Sequence, residues 1–458
     1  MLRVFAPAVL LSFPHGVGRL LIFSYLESVR LMLPTRTNTL RSTKSLLPQA
    51  GRLTLAALLL LGIAAAPAVH AQTSQVTTLA SFTSASGSLP YGNLTFSGNT
   101  LYGTTSQGGT NSYGTVFSLP VTGGTPTVLA AFNSSNGANP VADLLFSGGT
   151  LYGTTPYGGA GVNGAGTVFS LPAAGGALTT LTTFNGANGA NPAGGLVLSG
   201  TTLYGVSGGG THGYGQVFAL PTTGGEPTVF ASFNGVNGQN LHGTLTLSGS
   251  TFYGAASGGG TNGFGTVFSL PTTGGIQTVL ATFSSATGQY PLGNLTLGGD
   301  RLYGTTYQGG GTSGFGTVFS VPVTGGAPTV LATFSGTDGS YLNAGLVLSD
   351  STLYGTTLGG AGTLGTVFSV PTAGGTPTVL AEFSGLDGKY PRGGLTLIGD
   401  TLYGTTSLGG AYGFGTVFSL KPSGGAPVPE ASSLISFGLL LVGGLGGLVL
   451  RRRRRTTA

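Results

Sequence analysis

Few side chains of this 458-residue sequence could carry out acid–base, nucleophilic or metal chemistry. The chain has no Cys, which excludes disulfides, thiolate metal sites and cysteine nucleophiles. Between positions 72 and 421 it has two histidines, His212 and His242, which fall at different phases of an internal repeat. A metal site needs several converging ligands. We therefore expect no metal site, no cofactor and no catalytic histidine.

The acidic residues of the same region occupy positions typical of turns. One set precedes a repeated Leu-Tyr-Gly phrase, at places where other repeats have Asn, Gly or Ser: Asp300, Asp350 and Asp400. A second set precedes glycine, where other repeats have Asn-Gly: Asp338 and Asp387. Asn, Asp, Gly and Ser share turn-forming chemistry, which explains the exchange. Calcium binding by the Asp-Gly loops is the alternative interpretation.

Glycine-rich segments with one aromatic residue are the best candidates for a contact surface. They include GGTNSYG (108–114), GGGTHGYG (208–215), GGGTNGFG (258–265) and GGGTSGFG (309–316), none of which ends in the Gly-Lys-Ser/Thr of a phosphate loop. Their aromatic residues, with that of a fifth segment, are Tyr113, Tyr214, Phe264, Phe315 and Phe414. Exposed aromatic rings beside small polar groups would suit stacking on sugars through repeated weak contacts. The alternative is that these rings pack into the neighbouring repeat as core.

Seven copies of one unit must position these residues. A Leu/Phe-Tyr-Gly phrase recurs every 49 to 52 residues, and three further phrases recur with it: Gly-(Thr/Gln)-Val-Phe, an approximate T-V-L-A-x-F, and G-x-L-x-L-x-G. Each phrase is a short run rich in Val, Leu, Phe, Tyr and Thr, bounded by Gly, Pro, Asn or Asp. This is the pattern of a β-strand.

Four strands per ~50-residue unit predict an all-β fold, a seven-bladed β-propeller with 28 strands. The first strand, 77–82, matches a fourth strand and the last, 415–420, matches a third. We therefore expect the N-terminal strand to pair with the last three C-terminal strands and to close the ring, which removes an exposed sheet edge. An open β-solenoid is the rival architecture.

The repeated phrases resemble the tandem repeat called GloVer, over residues 77–420. The resemblance implies an exported bacterial protein with a C-terminal anchor, and it brings no catalytic motif. Kelch and quinoprotein blades have a similar rhythm of short strands. The chain has no Trp, however, so the quinoprotein tryptophan is missing and cofactor binding is not implied.

The excess of positive charge lies at the two ends of the chain. The formal net charge is +6, yet residues 72–421 contain four Lys/Arg against eight Asp/Glu. Nucleic-acid binding requires clustered cations that neutralise phosphates. We therefore expect no nucleic-acid partner.

The N-terminal region, residues 1–71, has the layout of a secretory signal peptide. Arg52 precedes the apolar run 53–68, and Val69-His70-Ala71 is a small-residue cleavage site, so we expect cleavage after Ala71 by way of the Sec export machinery. The leader is unusually long, and Met32 offers a better-proportioned start, which would make the preceding residues a mis-assigned extension. An uncleaved N-terminal anchor is the alternative.

The C-terminal region combines three elements in a fixed order. A linker (422–433) contains Val428, Pro429 and Glu430, an apolar segment (434–450) predicts a transmembrane helix, and the tail (451–458) begins with Arg451, Arg452, Arg453, Arg454 and Arg455. This order resembles the PEP-CTERM sorting signal, although Ala431 replaces the usual second proline. The resemblance implies exosortase as a partner, a transient stay in the inner membrane of a Gram-negative bacterium, and processing there. A plain membrane anchor is the alternative.

These features together predict that residues 72–421 form an exported, non-catalytic binding or structural module at the cell surface or in the extracellular matrix. The resemblance to PEP-CTERM proteins makes exopolysaccharide the expected partner. A polysaccharide hydrolase or lyase on the same scaffold is the alternative, and it requires acids or histidines clustered at one mouth of the channel. A purely architectural coat protein is a third candidate.

Overall fold

The structure, a computed structural model, describes residues 76–160, 164–311, 314–360 and 364–422. The expected cleavage site at Ala71, the sorting motif at 428–430, the apolar segment 434–450 and the arginine cluster lie outside the described residues. Within the described part there is no helix with the length and apolar character needed to cross a bilayer.

The described residues form seven small antiparallel sheets, one per repeat, each built from four consecutive strand positions. Threonine, valine and aromatic residues dominate these strands because they fit a pleated, buried surface. The first and innermost strands are β2 (Thr95–Ser97), β6 (Leu145–Ser147), β10 (Val197–Ser199), β15 (Thr246–Ser248), β19 (Thr296–Gly298), β23 (Val347–Ser349) and β27 (Thr396–Ile398). The second strands are β3 (Thr100–Thr105), β7 (Thr150–Thr155), β11 (Thr202–Ser207), β16 (Thr251–Gly258), β20 (Arg301–Thr306), β24 (Thr352–Thr357) and β28 (Thr401–Thr406).

The third and fourth strands complete each blade on its outer side. The third strands are β4 (Thr115–Pro120), β8 (Thr167–Pro172), β12 (Gln216–Pro221), β17 (Thr266–Pro271), β21 (Thr317–Pro322), β25 (Thr366–Pro371) and β29 (Thr416–Leu420). The fourth strands are β5 (Thr127–Ala131), β9 (Thr179–Thr183), β13 (Thr228–Ser232), β18 (Thr278–Thr282), β22 (Thr329–Thr333), β26 (Thr378–Glu382) and, in the last blade, β1 (Thr77–Ser81).

The last blade confirms the predicted closure. Its strand order is β1-β29-β28-β27, with Thr77 opposite Ser419 and Ser81 opposite Thr416. Blades are numbered 1 to 7 from the sheet that begins with β2, so blade 7 contains both chain ends. The prediction of a seven-bladed propeller is confirmed.

One strand was not expected, which makes 29 strands in the described part instead of the 28 predicted. The extra strand is β14 (Gln239–Leu241) in blade 4, which pairs with β16 through Gln239 and Gly258 and through Leu241 and Ala256. Five other blades have proline at the position of Leu241, and proline has no N–H to donate to a ladder. These blades have an isolated bridge at the corresponding place, such as that between Ser88 and Gln107, and so does blade 6, although it has Leu342 at this position.

Phenylalanine pairs lock each blade to the next. The residue that follows a fourth strand meets the third-strand phenylalanine of the following blade edge to face, as in Phe82 and Phe117, whose centroids are 4.9 Å apart. The same T-shaped contact occurs at all seven joints. The Phe117 ring lies over Gly103, where a Cβ atom would come within 2.7 Å of it. The core is therefore a closed series of seven inter-blade layers.

Candidate functional site at the top end of the ring

Two kinds of connection lie at the same end of the ring, here called the top end. They are the loops between second and third strands and the connections from a fourth strand to the next blade. In blade 1 they are tied together, because Ser88 N–H donates to the Gln107 carbonyl at 2.7 Å and Gln107 N–H donates back at 3.0 Å. The glycine-rich segments belong to the first kind of connection, so the top end carries the candidate contact surface.

The five aromatic residues singled out from the sequence lie at blade boundaries of the top end. Tyr113, Tyr214 and Phe414 have exposed side chains, whereas Phe264 and Phe315 are half-buried. Their carbonyls accept N–H groups from the next connection along the ring, as when Asn139 donates to Tyr113 at 2.9 Å. These rings are therefore neither wholly core nor freely projecting: their backbones are fixed and part of each ring faces solvent.

Further aromatic residues extend this surface, and together they form an aromatic patch over blades 4 to 6. Phe264 meets Tyr290 with centroids 6.4 Å apart, and Phe315 and Tyr307 both meet Tyr341, at 6.0 and 5.1 Å. Tyr307 N–H donates to the Tyr290 carbonyl at 3.1 Å, which joins the two groups. The patch is defined as Phe264, Tyr290, Tyr307, Phe315 and Tyr341.

Backbone strain accompanies this surface. In every blade the residue three positions before the Gly or Ala that precedes the innermost strand has a positive φ, although none of these residues is glycine: Leu89, Asn139, Asn191, Asn240, Tyr290, Tyr341 and Tyr390. A left-handed conformation costs an L-residue about 1–2 kcal/mol. Hydrogen bonds offset part of that cost, because the Tyr290 and Tyr341 N–H groups each donate at 3.0 Å to an aromatic residue of the preceding loop.

The acidic turn residues do what the sequence indicated. The Asp338 carboxylate accepts the Ser335 N–H at 2.8 Å, and Asp387 accepts the Ser384 N–H at the same distance. Asp300, Asp350 and Asp400 lie in the hairpins between first and second strands, at the end opposite the glycine-rich loops. Asp400 pairs there with Lys421 at 2.5 Å, and this hydrogen bond lowers the pKa of its carboxyl.

A ring of polar groups lies at the top of the channel, just before the innermost strands. The channel ring consists of the residues that directly precede the core leucine of each blade: Asn93, Asp143, Gly195, Thr244, Asn294, Gly345 and Gly394. At four of the seven joints a backbone N–H of one blade donates to the ring side chain of the next. For example, Asn93 N–H donates to Asp143 Oδ1 at 2.7 Å, and Thr244 N–H donates to Asn294 Oδ1 at 2.7 Å.

Asp143 is the centre of this network. Its second oxygen, Oδ2, accepts a hydrogen bond of 2.8 Å from Asn294 Nδ2, so a side chain of blade 5 reaches across the channel to blade 2. Asp143 is half-buried, and part of its surface lines the cavity at the top of the channel. Burial raises the pKa of Asp143, and the hydrogen bonds from Asn93, Asn294 and Thr244 act in the opposite direction without cancelling it.

Above the channel ring lies a rim, two residues earlier in each blade, and the two rows enclose a cavity of about 390 Å³. The rim consists of Tyr91, Val141, Ala193, His242, Leu292, Asn343 and Arg392. The Arg392 guanidinium stacks on the Tyr91 ring, 5.0 Å from its centroid. His242 is exposed within this concave mouth, and the surrounding protein lowers its pKa by desolvation.

The mouth can bind polar and partly charged molecules through hydrogen bonds, one cation and one buried carboxyl. Of the eight acids between residues 72 and 421, all within the described part, Asp143 alone lines this cavity. No group of three or more His, Cys, Asp or Glu that could hold a metal ion occurs among the described residues. The cavity therefore has groups that could recognise a ligand, but it has no second carboxylate beside Asp143.

Sequence reasoning missed the channel ring and the rim. A signal for them does exist: the rim position holds seven different residue types in seven blades, whereas the following position holds only Gly or Ala. The small residues are required by close packing, since a Cβ atom on Gly92 would lie 2.6 Å from the Ala142 carbonyl oxygen. The rim position varies freely although the next residue is restricted to Gly or Ala, which indicates that the fold does not require a particular side chain at the rim.

These features define the class of protein: a closed seven-bladed β-propeller with a polar channel mouth and aromatic loops at one end. The chain belongs to the Gloeobacter/Verrucomicrobia repeat family, whose model matches residues 68–268, 202–364 and 310–440. This match confirms the tandem-repeat prediction. Among curated proteins, none matches the chain in sequence.

Several solved structures are similar in fold. A chain assigned as TolB from Agrobacterium tumefaciens is 15% identical, with a TM-score of 0.37, over 64% of this chain and 93% of that one. A chain assigned as a 6-phosphogluconolactonase from Bacteroides uniformis is 18% identical, with a TM-score of 0.44, over 67% and 88%. A puromycin-hydrolyzing peptidase of Mycobacterium tuberculosis is 14% identical, with a TM-score of 0.47, over 78% of this chain and 57% of the peptidase. None of these similarities bears on function.

Proposed function

We propose that this protein is an exported propeller of the cell surface or extracellular matrix that binds exopolysaccharide without modifying it. One observation carries the proposal. Six tyrosines of the described part have exposed side chains, and all six lie in the loops of the top end: Tyr113, Tyr157, Tyr214, Tyr290, Tyr390 and Tyr412. Tyrosine combines an apolar face that stacks on sugar rings with a hydroxyl group that forms hydrogen bonds.

The distribution of these rings favours an extended ligand. They occur in blades 1, 2, 3 and 7 and in the connections that enter blades 5 and 7, so a polymer could contact several of them at once. Weak contacts of this kind gain strength when they are linked, because the second contact forms within the complex. The low charge of residues 72–421 suits a largely neutral polymer.

Export and processing are part of the proposal and are supported by the sequence of the two ends. Cleavage after Ala71 would release a chain that starts at Gln72, and exosortase would act at the motif of Val428, Pro429 and Glu430. N-terminal sequencing of protein recovered from the cell surface is expected to begin at Gln72. A mature chain that retains residues before Ala71 would contradict export by this route.

The alternative of a polysaccharide hydrolase is less well supported. Glycoside hydrolysis generally uses two carboxylates about 5–10 Å apart, one of them a general acid. Asp143 has the raised pKa of such an acid, but both of its oxygens already accept hydrogen bonds and the other seven acids lie elsewhere. Binding is therefore the better proposal.

Retention on the host's own exopolysaccharide tests the proposal. Region 72–421 contains every described strand and core residue and closes on itself, so it can be purified and used alone. We expect it to be retained, and we expect Tyr113→Ala combined with Tyr214→Ala to reduce retention at least about tenfold, since aromatic stacking contacts are each worth about 1–3 kcal/mol.

Ile276→Ala is the matched control. Ile276 is 88% exposed, but it lies in the hairpin between β17 and β18, outside the top loops. Its loss should leave retention unchanged. Absence of retention of the unaltered region would refute the binding proposal and favour the coat-protein reading, and release of shortened polymer would favour the hydrolase or lyase.

A further inference from the structure

Side chains close four of the seven joints of the channel ring, and the other three joints have no side chain to close them. The joints between blades 7 and 1, 1 and 2, 3 and 4, and 4 and 5 each have a ring side chain that accepts the N–H of the preceding blade. At the joints between blades 2 and 3, between 5 and 6, and between 6 and 7, the accepting positions are Gly195, Gly345 and Gly394, which have no side chain. By analogy with the closed joints, we infer that the N–H groups of Asn294 and Gly345 face Gly345 and Gly394, and among the described residues neither N–H donates to a side chain.

Two of the three open joints, those at Gly345 and Gly394, are adjacent, and polar rim groups lie directly above them. Asn343 and Arg392 are the rim residues of blades 6 and 7, and Asn343 Nδ2 lies 3.5 Å from the Arg392 carbonyl oxygen. The Arg392 guanidinium is exposed at the mouth and held against Tyr91. The only ion pair in the described part joins Lys421 and Asp400 at the other end of the ring, so the Arg392 cation has no carboxylate partner there.

A ligand that fits this gap needs an anionic group for Arg392 and neutral acceptor oxygens for the two N–H groups. It also needs a donor for the opposite wall, where the Asp143 oxygens retain lone pairs beyond the hydrogen bonds from Asn93 and Asn294. A planar carboxylate matches a guanidinium in two-point geometry. Hydroxyl groups are both acceptors and donors, and a pyranose ring has an apolar face for Tyr91.

We propose that the gap between blades 5 and 7 binds a sugar residue bearing a carboxylate, that is, a uronic acid at the end or in a loop of the polymer. The cavity of about 390 Å³ is large enough for one or two such residues. This inference rests on the proposed function and deepens it: the aromatic loops hold the polymer, and the mouth selects an acidic sugar.

Calorimetric titration of region 72–421 with D-glucuronate and, separately, with D-glucose tests the inference. We expect glucuronate to bind at least about tenfold more tightly, because a charge-assisted hydrogen bond is roughly twice as strong as a neutral one, a difference that corresponds to about tenfold in affinity. Arg392→Gln keeps the length and polarity of the side chain but removes its charge, and it should abolish the preference. Lys389→Gln is the matched control, since Lys389 is a nearby cation that stacks on Tyr390 outside the cavity.

A second variant tests the gap itself. Gly394→Asn introduces at this ring position the amide side chain that blades 1 and 5 already have. The φ of Gly394 is not left-handed, so the backbone accepts a side chain. A Cβ atom at this position would lie 3.0 Å from Asn93 Oδ1 and 3.0 Å from the Gly345 carbonyl oxygen. Small shifts of Asn93 would admit it, and its oxygen would accept the Gly345 N–H. We expect weaker glucuronate binding with an unchanged thermal midpoint.

Several results would overturn the inference. These are equal binding of glucose and glucuronate, unaltered preference in Arg392→Gln, or competition by inorganic phosphate as strong as that by glucuronate, which would indicate a plain anion site. Absence of binding of either monosaccharide would also overturn it, while retention on whole exopolysaccharide by the aromatic loops would leave the proposed function standing.

Discussion

Asp143 is the one acidic residue that lines the channel mouth in the described part of the chain. Burial removes hydration from the carboxyl group, and hydrogen bonds from Asn93 and Asn294 compensate for part of that loss. Desolvation is nevertheless the larger effect, so the pKa of Asp143 is raised. The carboxyl group is easier to protonate in the folded protein than in the unfolded chain.

Replacement of this group gives a prediction with a definite sign. Because the folded pKa of Asp143 is raised, the folded state loses stability as pH rises from the unfolded value, about 3.9, through the folded value. Asp143→Asn does not titrate, but its Nδ2 would face Asn294 Nδ2, which costs about one hydrogen bond, ~1 kcal/mol. We expect the wild type to be the more stable form at low pH and its advantage to shrink as pH rises.

Urea unfolding of both proteins across about pH 4 to 8 measures this difference. The other carboxyl groups are common to the two chains and cancel in the comparison. A stability difference that stays constant with pH, or that grows in favour of the wild type, would show that Asp143 is not desolvated in the folded state.

At the scale of the strand, the Tyr-Gly phrase is explained by the phenylalanine opposite it. Gly103 in β3 pairs with Phe117 in β4, and the Phe117 ring occupies the space above the glycine. The φ of Gly103 is not left-handed, so an alanine would be conformationally acceptable and, in an open strand, would stabilise the protein by about 0.5–1 kcal/mol. Packing against the ring therefore decides whether the alanine stabilises or destabilises the protein.

We predict that Gly103→Ala destabilises the protein by about 1–3 kcal/mol, because its Cβ atom would lie 2.7 Å from the tip of the Phe117 ring. Phe117→Leu removes the tip of the ring at a cost of its own. The double variant should therefore be more stable than the sum of the two single changes indicates, with a coupling of about 1 kcal/mol or more. Strictly additive free energies of unfolding would mean that the ring does not press on this position.

The strands could be predicted because their determinants are local and repeated. Phrases such as that around Tyr102 recur with the same composition, and glycine pairs such as Gly123 and Gly124 need positive φ, at 86° and 132°, in the hairpins between them. The channel ring is different in kind. Asn294 and Asp143 are 151 residues apart and meet only when the whole ring has closed, so no local pattern marks their contact.

The same reasoning explains the extra strand and the aromatic patch. Leu241 has an N–H donor at a position where five of the seven repeats have proline, a change of one residue that is easily overlooked. Tyr290 and Tyr341 were not singled out because they occupy the connections between blades, and those vary in sequence. Their proximity to Phe264 and Phe315 depends on how one connection lies over the preceding loop.

At the scale of the whole molecule, the closing blade determines whether the ring is a single cooperative unit. β1 supplies Ala80, and Phe82 follows it; both are buried against Phe117 and Leu101 of blade 1 and Val417 of blade 7. The strand also covers the edge of β29, whose backbone groups would otherwise be available to another chain. Closure therefore contributes hydrophobic burial and protection from association at once.

Removal of residues 72–86 from region 72–421 should open the ring. We expect a lower thermal midpoint and concentration-dependent association, since burial of Phe82 alone is worth about 1.5–3 kcal/mol and the edge of β29 becomes exposed. A peptide of residues 75–86 added in excess should restore the monomer, because it carries both the pairing strand and the buried ring. The same peptide with Phe82→Ser is the control and should not. Light scattering after size exclusion distinguishes the states: a truncated chain that remains monomeric and equally stable without the peptide would show that blade 7 is held by its three C-terminal strands alone.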